Sequence, residues 1–83
     1  MPDHVIVQFQ MHKRGRTVDL ELPLDMTARE LLVALNQAYA LGVAVDQMAQ
    51  CYLSCEFPTA LLRGNRTLRE IGLRDGSIIH FTR

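Results

Sequence analysis

The chain has no tryptophan, a single lysine and no excess of either charge, and each shortage narrows what it can be. Nine basic residues balance nine acidic ones in 83 residues, so bulk attraction to nucleic acid or an anionic membrane is not expected. Aromatic residues make up only 6% of the chain, a poor supply for a base-stacking platform. The two cysteines, Cys51 and Cys55, are too few for a disulfide framework. Four positions apart on a strand they would sit roughly 13 Å from each other, beyond the reach of a bridge. With no second Cys or His pair close in sequence they complete no tetrahedral metal site, and an iron–sulfur cluster would need four cysteines. No apolar run approaches the ~18 residues that span a bilayer, and MPDHVIVQFQ lacks the basic start and continuous apolar stretch of a secretory signal. A cytoplasmic protein with no membrane insertion is therefore expected. GxSxG, HExxH and P-loop motifs are all missing, so no catalytic, cofactor-binding or metal-ligating residue is assigned. His4, His12 and His80 fall in or beside expected strands with no companion at ligand spacing and are read as solvent-facing.

What the chain does have is enough for one domain, residues 1–83, with one core. Its longest regular pattern is Thr27 to Leu41. Thr27 with Glu30 three positions later makes a capping box. Leu31, Leu35, Ala38 and Leu41, flanked by Leu32 and Tyr39, form an apolar stripe at helical spacing. Gly42 is expected to end the helix. Before it, Val5, Val7, Phe9 and Met11 alternate with Ile6, Gln8, Gln10 and His12 as a half-buried strand. A turn at Gly15 leads to a second strand, in which Val18, Leu20, Leu22 and Leu24 alternate with polar residues. Pro23 should lie at its end or on a free edge.

After the helix, Val43 to Gln50 reads as a loop or short helical turn. Gln50 to Phe57 reads as a strand with Cys51, Leu53 and Cys55 on one face and Tyr52 and Ser54 on the other. Ala60 to Arg63 is a short strand, Thr67 with Glu70 a second capping box opening a helical turn that ends near Gly72, and Ile79 and Phe81 the inward residues of a last strand. This order predicts an α+β fold, a mixed sheet of four to five strands with one long helix on one face. The first and last strands pair in parallel at its centre. The helix covers Val5, Val7, Phe9, Leu20, Leu22, Ile79 and Phe81, each contributing ~1.5 to 3 kcal/mol before chain entropy is subtracted.

The element order and the segment TLREIGLRDGSIIHF resemble the ubiquitin-like β-grasp fold across nearly the whole chain. Within that fold, VDLELP after a short hairpin, a helix a few residues later and the tail L-x-x-I-G-L-x-D-G-S-I-I resemble the YukD/EsaB family of type VII (WXG100) secretion systems of Gram-positive bacteria, and the cytosolic domain of the EccD membrane component. The resemblance implies a non-enzymatic accessory that binds cytosolic components or regulators of the secretion machine. Relatedness to EccD also implies possible self-association as a homodimer through free sheet edges. Ubiquitin-like modifiers and sulfur carriers act through a C-terminal glycine pair. This sequence ends His80-Phe81-Thr82-Arg83, so that reading and a β-grasp RNA-binding module stand as alternatives.

Two surfaces are candidates for binding. The sheet face away from the helix should carry Ile6, Gln8, Tyr52, Ile78 and His80. His80 falls where ubiquitin has an exposed histidine in its binding patch, although Thr82 replaces the apolar residue two positions on. The second is a basic patch of Arg14, Arg16, Arg63, Arg66 and Arg69, if the first and last turns converge; arginine's planar fork suits carboxylate or phosphate.

Overall fold

The computed structural model describes residues 3–44, 46–47 and 51–82. Strand β1 (His4–Met11) runs through a short 3-10 turn (His12–Arg14) into β2 (Arg16–Pro23), with Gly15 taking the left-handed conformation that the reversal requires. Helix α1 (Ala28–Tyr39) follows, then β3 (Leu53–Glu56), β4 (Ala60–Leu62), the single turn α2 (Leu68–Ile71) and β5 (Ile78–Phe81). The strands form one five-stranded sheet in the order β2-β1-β5-β3-β4. Among the described residues only β1 and β5 pair in parallel, with Gln8 opposite Ile78 and Met11 opposite Phe81. Pro23 ends β2 on the sheet's edge, where its missing N–H disturbs no interior ladder.

The period-two pattern of β1 is realised without exception in its apolar half: Val5, Val7, Phe9 and Met11 are buried beneath α1 with Leu22, Ile79 and Phe81. Val18 and Leu20 are only half-buried, although Leu22 on the same edge strand is buried. The helix buries Ala28, Leu31, Leu32 and Leu35. Its last turn departs from the expected stripe: Ala38 is exposed, and Tyr39 makes the contact, its ring centroid 5.8 Å from that of Phe9. The helix also ends at Tyr39, three residues before Gly42. Ala40 adopts the left-handed conformation (φ 50°) and its N–H bonds Asn36 O. Asn36 then pins the exit with two bonds to the Val43 backbone, at 2.9 and 3.0 Å, and Val43 is buried. Beyond it the short helical turn is present at residues 46–47; Val45 and 48–50 lie outside the described residues. Strand β3 begins at Leu53, three residues later than its composition suggested, though Cys51 already faces inward with Leu53 and Cys55.

Both capping boxes form, and they meet. Thr27 and Thr67 form an isolated antiparallel bridge, so the two helix N-termini approach each other head-on. The Ala28 and Arg29 N–H groups of α1 donate to Arg66 O and Gly64 O at 2.9 and 3.0 Å. In return Leu68 and Arg69 of α2 donate to Met26 O and Leu24 O, both at 2.9 Å. The third N–H of each helix goes to its own threonine hydroxyl, Glu30 to Thr27 and Glu70 to Thr67, both at 3.1 Å. Thus the first three N–H groups of each helix, which a helix cannot satisfy internally, are all bonded.

Candidate functional site

The sheet face turned away from α1 is built by the other half of each alternation. Cross-strand register aligns Leu61, Ser54, His80, Gln10 and Thr17 in one row, and Glu56, Ile78, Gln8 and Asp19 in the next. All five residues assigned to this face from the sequence are on it or at its rim. Ile6 and Tyr52 are 56% and 54% exposed, Gln8 is exposed, and Ile78 and His80 are half-buried. Leu61, 50% exposed, joins them and was not foreseen. Its strand is three residues long, too short for a period to declare which face it uses. Ser54, small and half-buried, lies between Leu61 and His80, with Tyr52 two positions along β3's approach. Tyr52 therefore lies one step beyond the Leu61–Ser54–His80 row and Ile6 two steps from it on the other side, so the exposed apolar side chains span the length of the face.

His80 is held in place. Its Nε2 lies 3.1 Å from Glu56 Oε1, and its Nδ1 lies 2.7 Å from His12 Nε2. A carboxylate only accepts, so the Nε2 of His80 carries the proton that faces Glu56. In neutral His80, Nδ1 is then a lone pair that accepts from His12 Nε2–H. His12 and His80 are 68 positions apart, which is why no sequence spacing pairs them. The rest of the face is edged with acid: Asp19 and Glu21 on β2 are exposed, and Asp75 Oδ1 accepts the Ile6 N–H at 2.8 Å, fixing the start of β1.

The arginines do not come together as one patch. Arg14 donates to Tyr39 O and, at 2.6 Å, to Ala40 O, and so caps the C-terminus of α1, where its charge also complements the helix dipole. Arg16 lies over the Tyr39 ring, 5.8 Å from its centroid. Arg63, Arg66 and Arg69 are at the other end of α1, which is about 18 Å long at ~1.5 Å per residue. Of these, Arg69 pairs with Asp25 at 3.2 Å and Asp3 at 3.7 Å, and Arg66 Nη2 is 3.4 Å from Glu70 O. Arg63 and Arg29 instead flank a small cleft of about 140 Å³ floored by Leu32, Leu62 and Cys51.

Cys51 and Cys55 are buried and not joined to each other. Burial pushes the Cys55 thiol's pKa up, only partly opposed by a backbone hydrogen bond at Ala60. The thiol donates to Pro58 O at 3.1 Å, so it serves the β3–β4 turn. Among the described residues, no group of three or more His, Cys, Asp or Glu side chains is gathered as for a metal, and no helix is long and apolar enough to cross a membrane.

The model of one protein family, the YukD protein of the WXG100 protein secretion system, matches residues 4–81, every strand and helix described above. The chain belongs to the YukD family. Solved structures agree on the fold of this YukD-family chain. The C-terminal ubiquitin-like domain of mouse tubulin-specific chaperone e is similar with a TM-score of 0.73 at 15% identity, over 94% of this chain and 84% of that one. The ubiquitin-like domain of Plasmodium falciparum Dsk2 is similar with a TM-score of 0.63 at 19% identity, over 93% of both chains. A de novo design based on ubiquitin gives 0.68 at 21% identity, over 96% and 88%. No curated protein matches the sequence. At these identities the structural likeness establishes the β-grasp fold, and the link to WXG100 secretion comes from the family match.

Proposed function

We propose that this YukD-family chain is a non-enzymatic, cytoplasmic accessory of a type VII secretion system that works by non-covalent docking of its outer sheet face onto a cytosolic component or regulator of the machine. One observation carries the reading: Ile6, Tyr52 and Leu61 are each about half exposed on the face that α1 leaves uncovered, and Leu61 shares a row with Ser54 and His80. Half-exposed apolar side chains set among polar ones are what a transient protein interface uses. The helix is otherwise engaged, because its apolar side is spent on the core. The arginine clusters at the two ends of α1 serve mainly as caps and surface ion pairs. Such exposed pairs each contribute ~0 to 1 kcal/mol.

Deleting the chain should reduce export of small WXG100-type helical-hairpin substrates, and the wild-type gene should restore it. A Tyr52→Ser/Ile78→Ser variant that keeps its far-UV circular dichroism spectrum should fail to restore export and should lose in-cell cross-links to its partner. Full restoration by that variant would remove the outer face from the mechanism, and unchanged export on deletion would remove the secretion role.

A further inference from the structure

We infer that the free edge of β2 is a second binding surface, separate from the outer face, and that it takes an extended segment of another protein in which basic residues alternate with apolar ones. The hydrogen bonds show which main-chain groups this edge offers. The Gln8 N–H donates to Ser77 O and Ile6 O accepts from the Gly76 N–H, so the even-numbered residues of β1 spend their main chain on β5 and its approach. Within a strand the N–H and C=O of one residue point the same way and alternate from residue to residue. Val5, Val7 and Phe9 therefore face β2, where they meet Leu22, Leu20 and Val18. The intervening Thr17, Asp19 and Glu21 turn their N–H and C=O groups outward, and among the described residues no segment lies alongside to take them. The register with β1 is unbroken from the His4 and Pro23 pair to the Met11 and Arg16 pair, so no bulge twists the edge away.

The side chains select the occupant. Asp19 and Glu21 are exposed on the outer side of the strand, opposite the uncharged Gln8 and Ile6, and neither joins an ion pair among the described residues. Val18 and Leu20 are half-buried on the helix side. A strand added to β2 keeps its faces in step, so its residues beside Asp19 and Glu21 lie on the outer side and those beside Val18 and Leu20 on the helix side. Lysine or arginine in the first places and an apolar β-branched residue in the second match both faces. The approach is open. Arg29 and Leu32 of α1 lie toward Leu62 of β4, so the helix flank toward β2 carries Ala34 and Ala38, both small and both exposed. A second copy of this chain is a poor occupant. Two-fold pairing of β2 with itself sets Asp19 opposite Asp19, or Asp19 opposite Glu21, in the registers that keep most of the strand paired, and like charges directly opposite are destabilising. The acids that turn away a copy attract a basic strand.

The test is an NMR titration of the whole isotope-labelled chain with a short capped peptide of alternating lysine and valine. Shifts should centre on the Thr17, Asp19 and Glu21 amides, whose hydrogen exchange should slow, and a peptide of alternating glutamate and valine should not bind. Asp19→Lys/Glu21→Lys should reverse that preference and weaken the lysine peptide by about tenfold or more, because both cross-strand pairs turn from attractive to repulsive. Thr17→Pro keeps both acids but removes one outward N–H, and should weaken binding by about fivefold. The lysine substitutions are on exposed positions and carry the test even if Thr17→Pro fails to fold. Tyr52→Ser/Ile78→Ser should bind the peptide as wild type does, which separates this edge from the outer face and from the role in secretion. Equal binding of the two peptides, shifts centred on Tyr52 and Leu61, or no binding at ~1 mM peptide would overturn the assignment. So would unchanged affinity in a folded Thr17→Pro variant, which would mean attraction between charges without strand addition.

Discussion

The meeting of the two helix N-termini makes a prediction that can be worked to a number. Thr27→Ala removes the hydroxyl that accepts the Glu30 N–H at 3.1 Å and reaches Glu30 Oε1 at 3.0 Å. Thr67→Ala removes the same pair of interactions to Glu70, at 3.1 and 3.2 Å. Loss of a threonine cap costs ~1 kcal/mol, within a range of about 0.5 to 2. The sites are not independent, because α1's first two N–H groups bond the segment leading into α2, and α2's first two bond the segment leading into α1. A helix of only 4 residues cannot persist alone. Once either cap is lost, the junction loosens and the other cap has less to hold. The double variant should therefore cost less than the sum of the singles by about 0.5 kcal/mol or more, the range found for contacting residues. In melting terms, 83 residues at ~2.1 cal/mol/K each give roughly 6 °C per kcal/mol. Urea denaturation followed by far-UV circular dichroism on all four proteins measures the cycle, with Thr27→Ser as a control that keeps the cap. Additivity to within ~0.3 kcal/mol would refute the coupling.

Ser77 is the one buried polar residue among the described residues, fully enclosed, and its hydroxyl donates to Phe57 O while accepting the Arg74 N–H at 3.0 Å. Ser77→Ala leaves both groups without that partner and should lower the unfolding free energy by ~1 to 3 kcal/mol, read as a lower urea midpoint at unchanged slope; a midpoint equal to wild type would mean that water replaces the hydroxyl. The raised pKa of Cys55 sets a pH dependence whose sign follows from linkage. Below the unfolded thiol's value of about 8.5 both states hold the proton and the full stability is present; as pH rises from there toward the folded value, the unfolded chain releases its proton first and stability falls. Wild type should accordingly lose more stability than Cys55→Ala between neutral and alkaline pH, and parallel curves for the two would show that the thiol does not titrate differently on folding.

Much of the fold was legible because it is written in local periods. The alternation in β1 and the two T-x-x-E boxes fixed strand faces and helix starts that the structure reproduces at Val5, Val7, Phe9, Met11, Thr27 and Thr67. Where expectation and structure part, the deciding term is tertiary. Gly42 was the natural terminator by conformational freedom, yet the helix ends at Tyr39, because the Arg14 guanidinium and the Asn36 side chain together bind the carbonyls and the loop that leave it. Ala38 shares a helical stripe with Leu31 and Leu35, but Tyr39 reaches the Phe9 ring and leaves Ala38 in solvent. Leu20 alternates as cleanly as Leu22 on the same strand, yet Leu22 is buried and Leu20 is half-exposed.

The outer face shows the same division more sharply. Period two says which residues leave the core, and it placed Ile6, Gln8, Tyr52, Ile78 and His80 on the open side, but it does not say which of them become neighbours. That depends on register between strands distant in sequence. Leu61 comes beside Ser54 through the β3–β4 ladder, and His80 comes between Ser54 and Gln10 because β5 inserts between β3 and β1. The same insertion sets Glu56 and His12 on opposite flanks of His80. The arginines are the converse case. Arg14 and Arg16 precede α1, and Arg63, Arg66 and Arg69 follow it. Since the first pair packs at the helix's C-terminus and the later three at its N-terminus, the length of α1 keeps them apart. In both cases β5 and α1 act as the rulers: one brings a pair of imidazoles together across 68 positions, and the other separates five guanidinium groups that composition alone would have grouped.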